Sequence, residues 1–230
     1  LERVRTAITN KEFLGNELQL RTRLEYFRRV CDAMEYAHSR EILHRDLKPD
    51  NIMIGAYNQV YVMDWGIARR MGATVREDSI DYASPQDAVA ADDSEELDGS
   101  TRVGQLIGTP QYMSPEQVRG FHRDLDERSD IYSMGIILYR MVFLKQAFKQ
   151  TTLMKLLEAI LEGEIEPFEA FDSRVKVPRE LVAIIRKATQ RMPNDRYRTV
   201  EEFSADIDRF LRGQTVLAAP ENALQRISRW

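Results

Sequence analysis

The residues with the plainest chemical capacity stand in one run, His44-Arg45-Asp46-Leu47-Lys48-Pro49-Asp50-Asn51. Asp46 is followed by a Lys two positions on and an Asn five positions on, and an apolar run comes next. A carboxylate can accept a proton from a hydroxyl, an ammonium can steady a phosphoryl group in transfer, and a carboxamide oxygen can ligate Mg²⁺. Together the three suit phosphoryl transfer. Taken singly, Asp46 beside Arg45 reads as a surface ion pair, so the assignment depends on what surrounds the run.

The elements that must position these groups are readable from periodicity. Leu20, Leu24, Phe27, Cys31 and Met34 recur at 4-3-4-3 spacing and predict a helix whose apolar face anchors the run from the core side. Ile52-Met53-Ile54 and Val60-Tyr61-Val62-Met63, separated by Gly55-Ala56-Tyr57-Asn58-Gln59, predict a short hairpin. It would bring Asn51 and Asp64 to neighbouring ends of paired strands, where two Mg²⁺ ligands must meet. The stretch Ile131–Leu144 predicts a helix buried on most sides; it is too short to span a bilayer. Ser114, Pro115 and Gln117 form a helix start with a capping box. Thr151 or Thr152 caps a helix running to Gly163, Pro178 opens one bearing Leu181, Ile184, Ile185 and Ala188, and Thr199 with Glu202 makes a capping box for a last helix ending at Gly213.

With its downstream partners, the run resembles the catalytic loop H-R-D-L-K-P-x-N of eukaryotic-type protein kinases. Asp64-Trp65-Gly66 is similar to the family's D-F-G, with Trp for Phe, and Gly108-Thr109-Pro110-Gln111-Tyr112-Met113-Ser114-Pro115-Glu116 is similar to the docking segment ending in A-P-E, with Ser for Ala. Asp130 in Asp130-Ile131-Tyr132-Ser133-Met134-Gly135 resembles the buried Asp that braces the catalytic loop. Arg196 in Pro193-Asn194-Asp195-Arg196-Tyr197 resembles the Arg that pairs with the Glu of A-P-E, here Glu116. The Leu-Lys-Pro form after Asp46 is that of Ser/Thr kinases. The texture of the flanking residues is most similar to bacterial Ser/Thr kinases, planctomycete-like ones in particular.

The resemblance implies an α+β fold, mainly α-helical: a kinase C-terminal lobe over residues 1–212, with a short β-hairpin at the catalytic loop, an activation segment over 64–116, and a tail over 213–230 that could be juxtamembrane. It implies ATP and Mg²⁺ as cofactors and transfer of the γ-phosphate to Ser/Thr of protein substrates in signalling. Asp46 is then the base, Lys48 and Thr109 complete the catalytic set, and Lys48, Asn51, Met53 and Asp64 contact nucleotide, with Asn51 and Asp64 on the metal. His44, Trp65, Glu116, Asp130 and Arg196 are structural supports. Arg45 is the partner for a phosphorylated activation-segment residue, for which Thr101 is the candidate, with self-association for autophosphorylation. The rival reading is a pseudokinase or isolated lobe that docks partner proteins.

No G-x-G-x-x-G occurs and no V-A-I-K-like strand precedes His44, which only 43 residues precede. The N-lobe is therefore read as absent, the chain as a fragment starting just past the hinge between the lobes, and activity as needing that lobe; a natural half-kinase is the alternative. Hydrophobic residues make up 43% of 230, enough for one sizeable core. The formal charge is −4, yet Glu77 to Asp98 alone carries nine acids and no Lys or Arg, leaving about +5 elsewhere. Residues 77–98 read as a solvated acidic insertion, the sharper alternative being an autoinhibitory peptide mimic over a basic groove. A negative chain without interleaved basic and aromatic residues gives no support to nucleic-acid binding. No membrane span is expected within the chain, and the location expected is cytoplasmic, or the cytoplasmic domain of a membrane-anchored kinase.

Overall fold

The computed structural model describes residues 19–66, 68–70, 110–120, 125–170 and 176–219. Helix α1 spans Leu20–Ser39 and buries Leu24, Phe27, Cys31 and Met34 completely, the stripe expected from their spacing. Val30 and Arg23 are buried with them. The Arg23 guanidinium donates to the Met141 carbonyl and burial lowers its pKa to about 10. Desolvation pushes the buried Cys31 thiol well above its ordinary range, as befits a small core residue.

Two antiparallel strand pairs follow. β1 (Ile42–Leu43) pairs with β4 (Arg69–Arg70), and β2 (Ile52–Ile54) pairs with β3 (Val60–Val62) in the register Ile52↔Val62, Met53↔Tyr61, Ile54↔Val60. The second is the expected hairpin. The first, two residues to a side, is too short to carry a period that a sequence could show. Asn58 closes the hairpin turn at φ 63°, and its carbonyl and side-chain oxygens accept from Arg29 and from Tyr26 (2.6 Å) of α1. The hairpin is thus tied to the helix beneath it.

The remaining helices are α2 (Pro115–Val118), α3 (Glu127–Phe143), α4 (Leu153–Glu162), α5 (Arg179–Ala188) and α6 (Val200–Leu211). α3 starts earlier than its apolar run because Asp126 caps it, accepting from the Arg128 amide at 2.9 Å. Gly135 lets α3 approach α5: a Cβ there would lie 2.7 Å from Thr189 and 2.9 Å from Ala188. α4 ends at Gly163 in the left-handed conformation, φ 74°. Thr152 stands at its N-cap but makes no side-chain capping bond, contrary to expectation.

At α6, Thr199 Oγ1 accepts from the Glu202 amide at 3.2 Å, but the Glu202 carboxylate takes the Arg198 amide at 3.0 Å, so only half of the expected box forms. Phe203 packs edge-on to Phe27 (5.7 Å) and stacks on Tyr197 (5.1 Å), joining α6 to α1. Beyond α6, Val216 is buried, and Asp206 accepts from the Leu217 (2.8 Å) and Ala218 (2.9 Å) amides and from Tyr197 (2.9 Å). The chain therefore folds back onto the core past residue 212. No described helix is long and apolar enough to cross a membrane.

Candidate active site

The loop after β1 carries the chemical run, and its backbone is held from below by α3. Asp130, 1% exposed, accepts from the His44 amide (2.9 Å) through Oδ2 and from the Arg45 amide (2.9 Å) through Oδ1. Its Oδ2 also meets His38 Nε2 at 2.8 Å, and Glu127 lies 3.6 Å from His38 Nδ1. Burial alone would lower the His38 pKa, but the two carboxylates outweigh it and raise it to about 9. His38 is a buried cation under the loop, a role no spacing in the sequence announces.

His44 is fully buried. Its Nδ1 accepts from the Asp46 amide at 3.3 Å, which leaves Nε2 to donate to the Met63 carbonyl at 2.9 Å. Its ring lies 4.6 Å from that of Trp65, whose indole N–H donates to the Val62 carbonyl at 3.0 Å. These contacts fix the run against the strand end that carries Asp64.

Above the brace Asp46, Lys48 and Asp64 are less enclosed, while Asn51 stays buried. Lys48 Nζ donates to Asp46 Oδ2 at 2.7 Å, with side-chain exposures of 18% and 20%. Asn51 Nδ2 donates to the Asp46 carbonyl at 2.8 Å and to Oδ2 at 3.3 Å. No described residue hydrogen-bonds Asp46 Oδ1. The Asn51 amide nitrogen is committed to Asp46, which leaves its oxygen to serve as a ligand. Met63 N–H donates to the Asn51 carbonyl at 2.8 Å, so the hairpin brings Asn51 next to the start of Asp64-Trp65-Gly66. Asp64 adopts a left-handed φ of 60° and is exposed. Two hard oxygen donors in this setting suit Mg²⁺. Met53 is 47% exposed on the same hairpin.

The third layer is the start of α2. Ser114 Oγ accepts from the Gln117 amide (3.4 Å) and Gln117 Oε1 accepts from the Ser114 amide (3.0 Å), the expected capping box. Glu116 and Arg196 form a two-pronged ion pair at 2.7 and 2.8 Å. Burial would raise the Glu116 pKa, but Arg196 and the Ser129 hydroxyl (2.8 Å) hold it below its ordinary value. Thr109 and Thr101, and the acidic stretch 77–98, lie outside the described residues.

Comparison with known proteins covers the whole of this region. The model of the protein kinase domain family matches residues 4–206. The chain belongs to the protein kinase domain family. It is 34% identical over 203 residues to serine/threonine-protein kinase PknD of Chlamydia caviae, covering 87% of this chain and 20% of that protein. It is 36% identical over 205 residues to PknD of Protochlamydia amoebophila, covering 89% and 20%. With PknD of Chlamydia pneumoniae the figures are 33% over 213 residues, 90% and 21%. The resemblance to bacterial Ser/Thr kinases is thereby shown, and these kinase relatives are chlamydial. The chain spans about a fifth of the length of the curated relatives it matches.

Sequence reasoning overlooked the part of four residues in this network. His38 and Glu127 complete the brace around Asp130. Ser129 supports Glu116. Gln117, read only as a helix cap, also donates to the Arg45 carbonyl at 2.7 Å. Ser129 stands in the polar run Asp126-Glu127-Arg128-Ser129-Asp130, where nothing sets it apart; the other contacts join residues more than 70 positions apart and leave no local trace.

Proposed function

We propose that the protein containing this chain transfers the γ-phosphate of ATP to Ser or Thr of protein substrates, and that residues 1–212 are the C-terminal lobe of its kinase domain. The observation that carries the reading is the half-open Asp46: one oxygen is held by Lys48 and Asn51 and the other is unbonded among the described residues. In this reading Oδ1 of Asp46 orients the substrate hydroxyl and takes its proton. Lys48, already beside that carboxylate, stabilises charge on the transferring phosphoryl. Asn51 and Asp64 hold Mg²⁺, which neutralises charge on the phosphate oxygens when bound. Met53 offers an apolar face to the adenine, and Thr109 completes the set around Asp46 and Lys48.

His44, Trp65, Asp130, Glu116 and Arg196 keep these groups in register. Thr101 is the proposed autophosphorylation site, with Arg45 as its phosphate partner and a second copy of the chain as the enzyme. Residues 64–116 form the activation segment, and the location proposed is the cytoplasm, where ATP and Mg²⁺ are supplied. A docking-only role is not favoured, because Asp46, Lys48, Asn51 and Asp64 are all intact.

The test is phosphate transfer from MgATP to a Ser/Thr peptide by the full-length polypeptide, beside its Asp64→Asn variant. We expect transfer in the wild type and a large loss in the variant that raised Mg²⁺ partly restores. No transfer by folded wild-type protein would contradict the reading.

A further inference from the structure

We infer that Gln117 is a positioning residue for Asp46, acting through the peptide that joins Arg45 to it. The inference rests on the proposed role of Asp46 as the base. Arg45 has a φ of 70°, a left-handed conformation that an L-residue keeps only where its surroundings hold it. Its two backbone polar groups are gripped by side chains from two different helices. The amide donates to Asp130 Oδ1 of α3 at 2.9 Å, and the carbonyl accepts from Gln117 Nε2 of α2 at 2.7 Å. Asp46 is the next residue, so rotation of that peptide would swing its carboxylate.

The orientation of Gln117 is fixed by what it touches. The Ser114 amide can only donate, so the atom 3.0 Å from it is the carboxamide oxygen, and the nitrogen faces Arg45. The Ser114 hydroxyl lies 3.1 Å from the same oxygen. Gln117 is 7% exposed and Ser114 fully buried, so water has little access to replace these bonds. The helix cap needs only the oxygen of Gln117. The nitrogen's bond to Arg45, 72 residues away, adds nothing to the cap. It couples the start of α2 to the catalytic run, so that the docking side and the base move as one hydrogen-bonded unit.

Gln117→Glu separates the two functions. Glutamate serves equally in a capping box and keeps oxygens toward Ser114, but it presents an oxygen instead of an N–H to the Arg45 carbonyl. Thr199→Ala, which deletes a helix cap on α6, controls for lost stability. In the full-length polypeptide we expect Gln117→Glu to lower kcat about 10- to 100-fold, the scale of a misplaced reacting group. KM for MgATP should stay within about two-fold, since nucleotide binding itself is not touched. The melting temperature should fall no further than in Thr199→Ala. Amide hydrogen exchange at Asp46, whose N–H belongs to the tethered peptide, should quicken in the Glu variant and not in the control.

A kcat per folded molecule equal to wild type would overturn the inference, as would an activity loss that merely tracks unfolding. A folded wild-type protein that transfers no phosphate would overturn the kinase reading instead. In that case faster exchange at the Asp46 amide would still support the tether, and unchanged exchange would refute it.

Discussion

Two carboxylate–cation pairs, Asp46–Lys48 and Glu116–Arg196, share a closest approach of 2.7 Å and differ in almost everything around it. The Arg196 side chain is fully buried, and all five of its N–H groups are used: two on Glu116, the others on the carbonyls of Gln190, Arg128 and Arg191. Its guanidinium also lies 4.9 Å from the Tyr132 ring centroid. The Lys48–Asp46 pair is about one-fifth exposed on each side, and one Asp46 oxygen takes no bond from a described residue. The pair that holds the fold is saturated; the pair proposed to handle a substrate is not, among the described residues.

The sharpest way to break this contrast is Arg196→Ala. It leaves a buried, unpaired Glu116 and should cost about 3–5 kcal/mol in unfolding free energy by denaturant titration. A cost under about 1 kcal/mol, the scale of exposed pairs, would erase the distinction. Next, Lys48→Met should reduce phosphate transfer by the full-length protein about 10²–10³-fold, on the scale of a lost charge-stabilising donor. Its stability should change by less than about 1 kcal/mol, because a partly exposed pair contributes little. A Lys48→Met variant that unfolds early while keeping its turnover would reverse the assignment.

The His38 brace gives a smaller, pH-dependent effect. The folded pKa of about 9 lies above the ordinary value of 6.5, so the protonated form stabilises the fold. That stabilisation is fully present below about pH 6.5 and is lost as pH rises through 9, amounting to on the order of 3 kcal/mol. His38→Gln keeps a donor toward Asp130 but cannot titrate, so its stability should lack this decline. An unchanged wild-type slope in the variant would place the titration elsewhere.

What the sequence disclosed and what it withheld divide along the same line. Asp46, Lys48, Asn51 and Asp64 are close together or joined by one hairpin, and local spacing brought them into view. The helix faces were equally accessible, because Leu24, Phe27, Cys31 and Met34, or Leu181, Ile184, Ile185 and Ala188, repeat at the helical period. Asp130 and Arg196 were found only through resemblance. His38 meets Asp130, Ser129 donates to Glu116 and Gln117 donates to the Arg45 carbonyl, each across to another segment, and no period links a buried polar residue to a partner elsewhere in the chain. The β1–β4 pair was hidden because two residues show no alternation. Glu202 satisfied the capping-box pattern, yet its carboxylate found the neighbouring Arg198 amide.

The central claim is that Asp46 does chemistry while the network beneath it keeps the fold. The most direct measurement is the rate of γ-phosphate transfer by full-length Asp46→Asn, expressed per folded molecule from its denaturation curve. The account predicts transfer lost by about 10²–10⁴-fold, the range of a missing general base, with wild-type stability. Undiminished transfer, or a loss explained by unfolding, would contradict it.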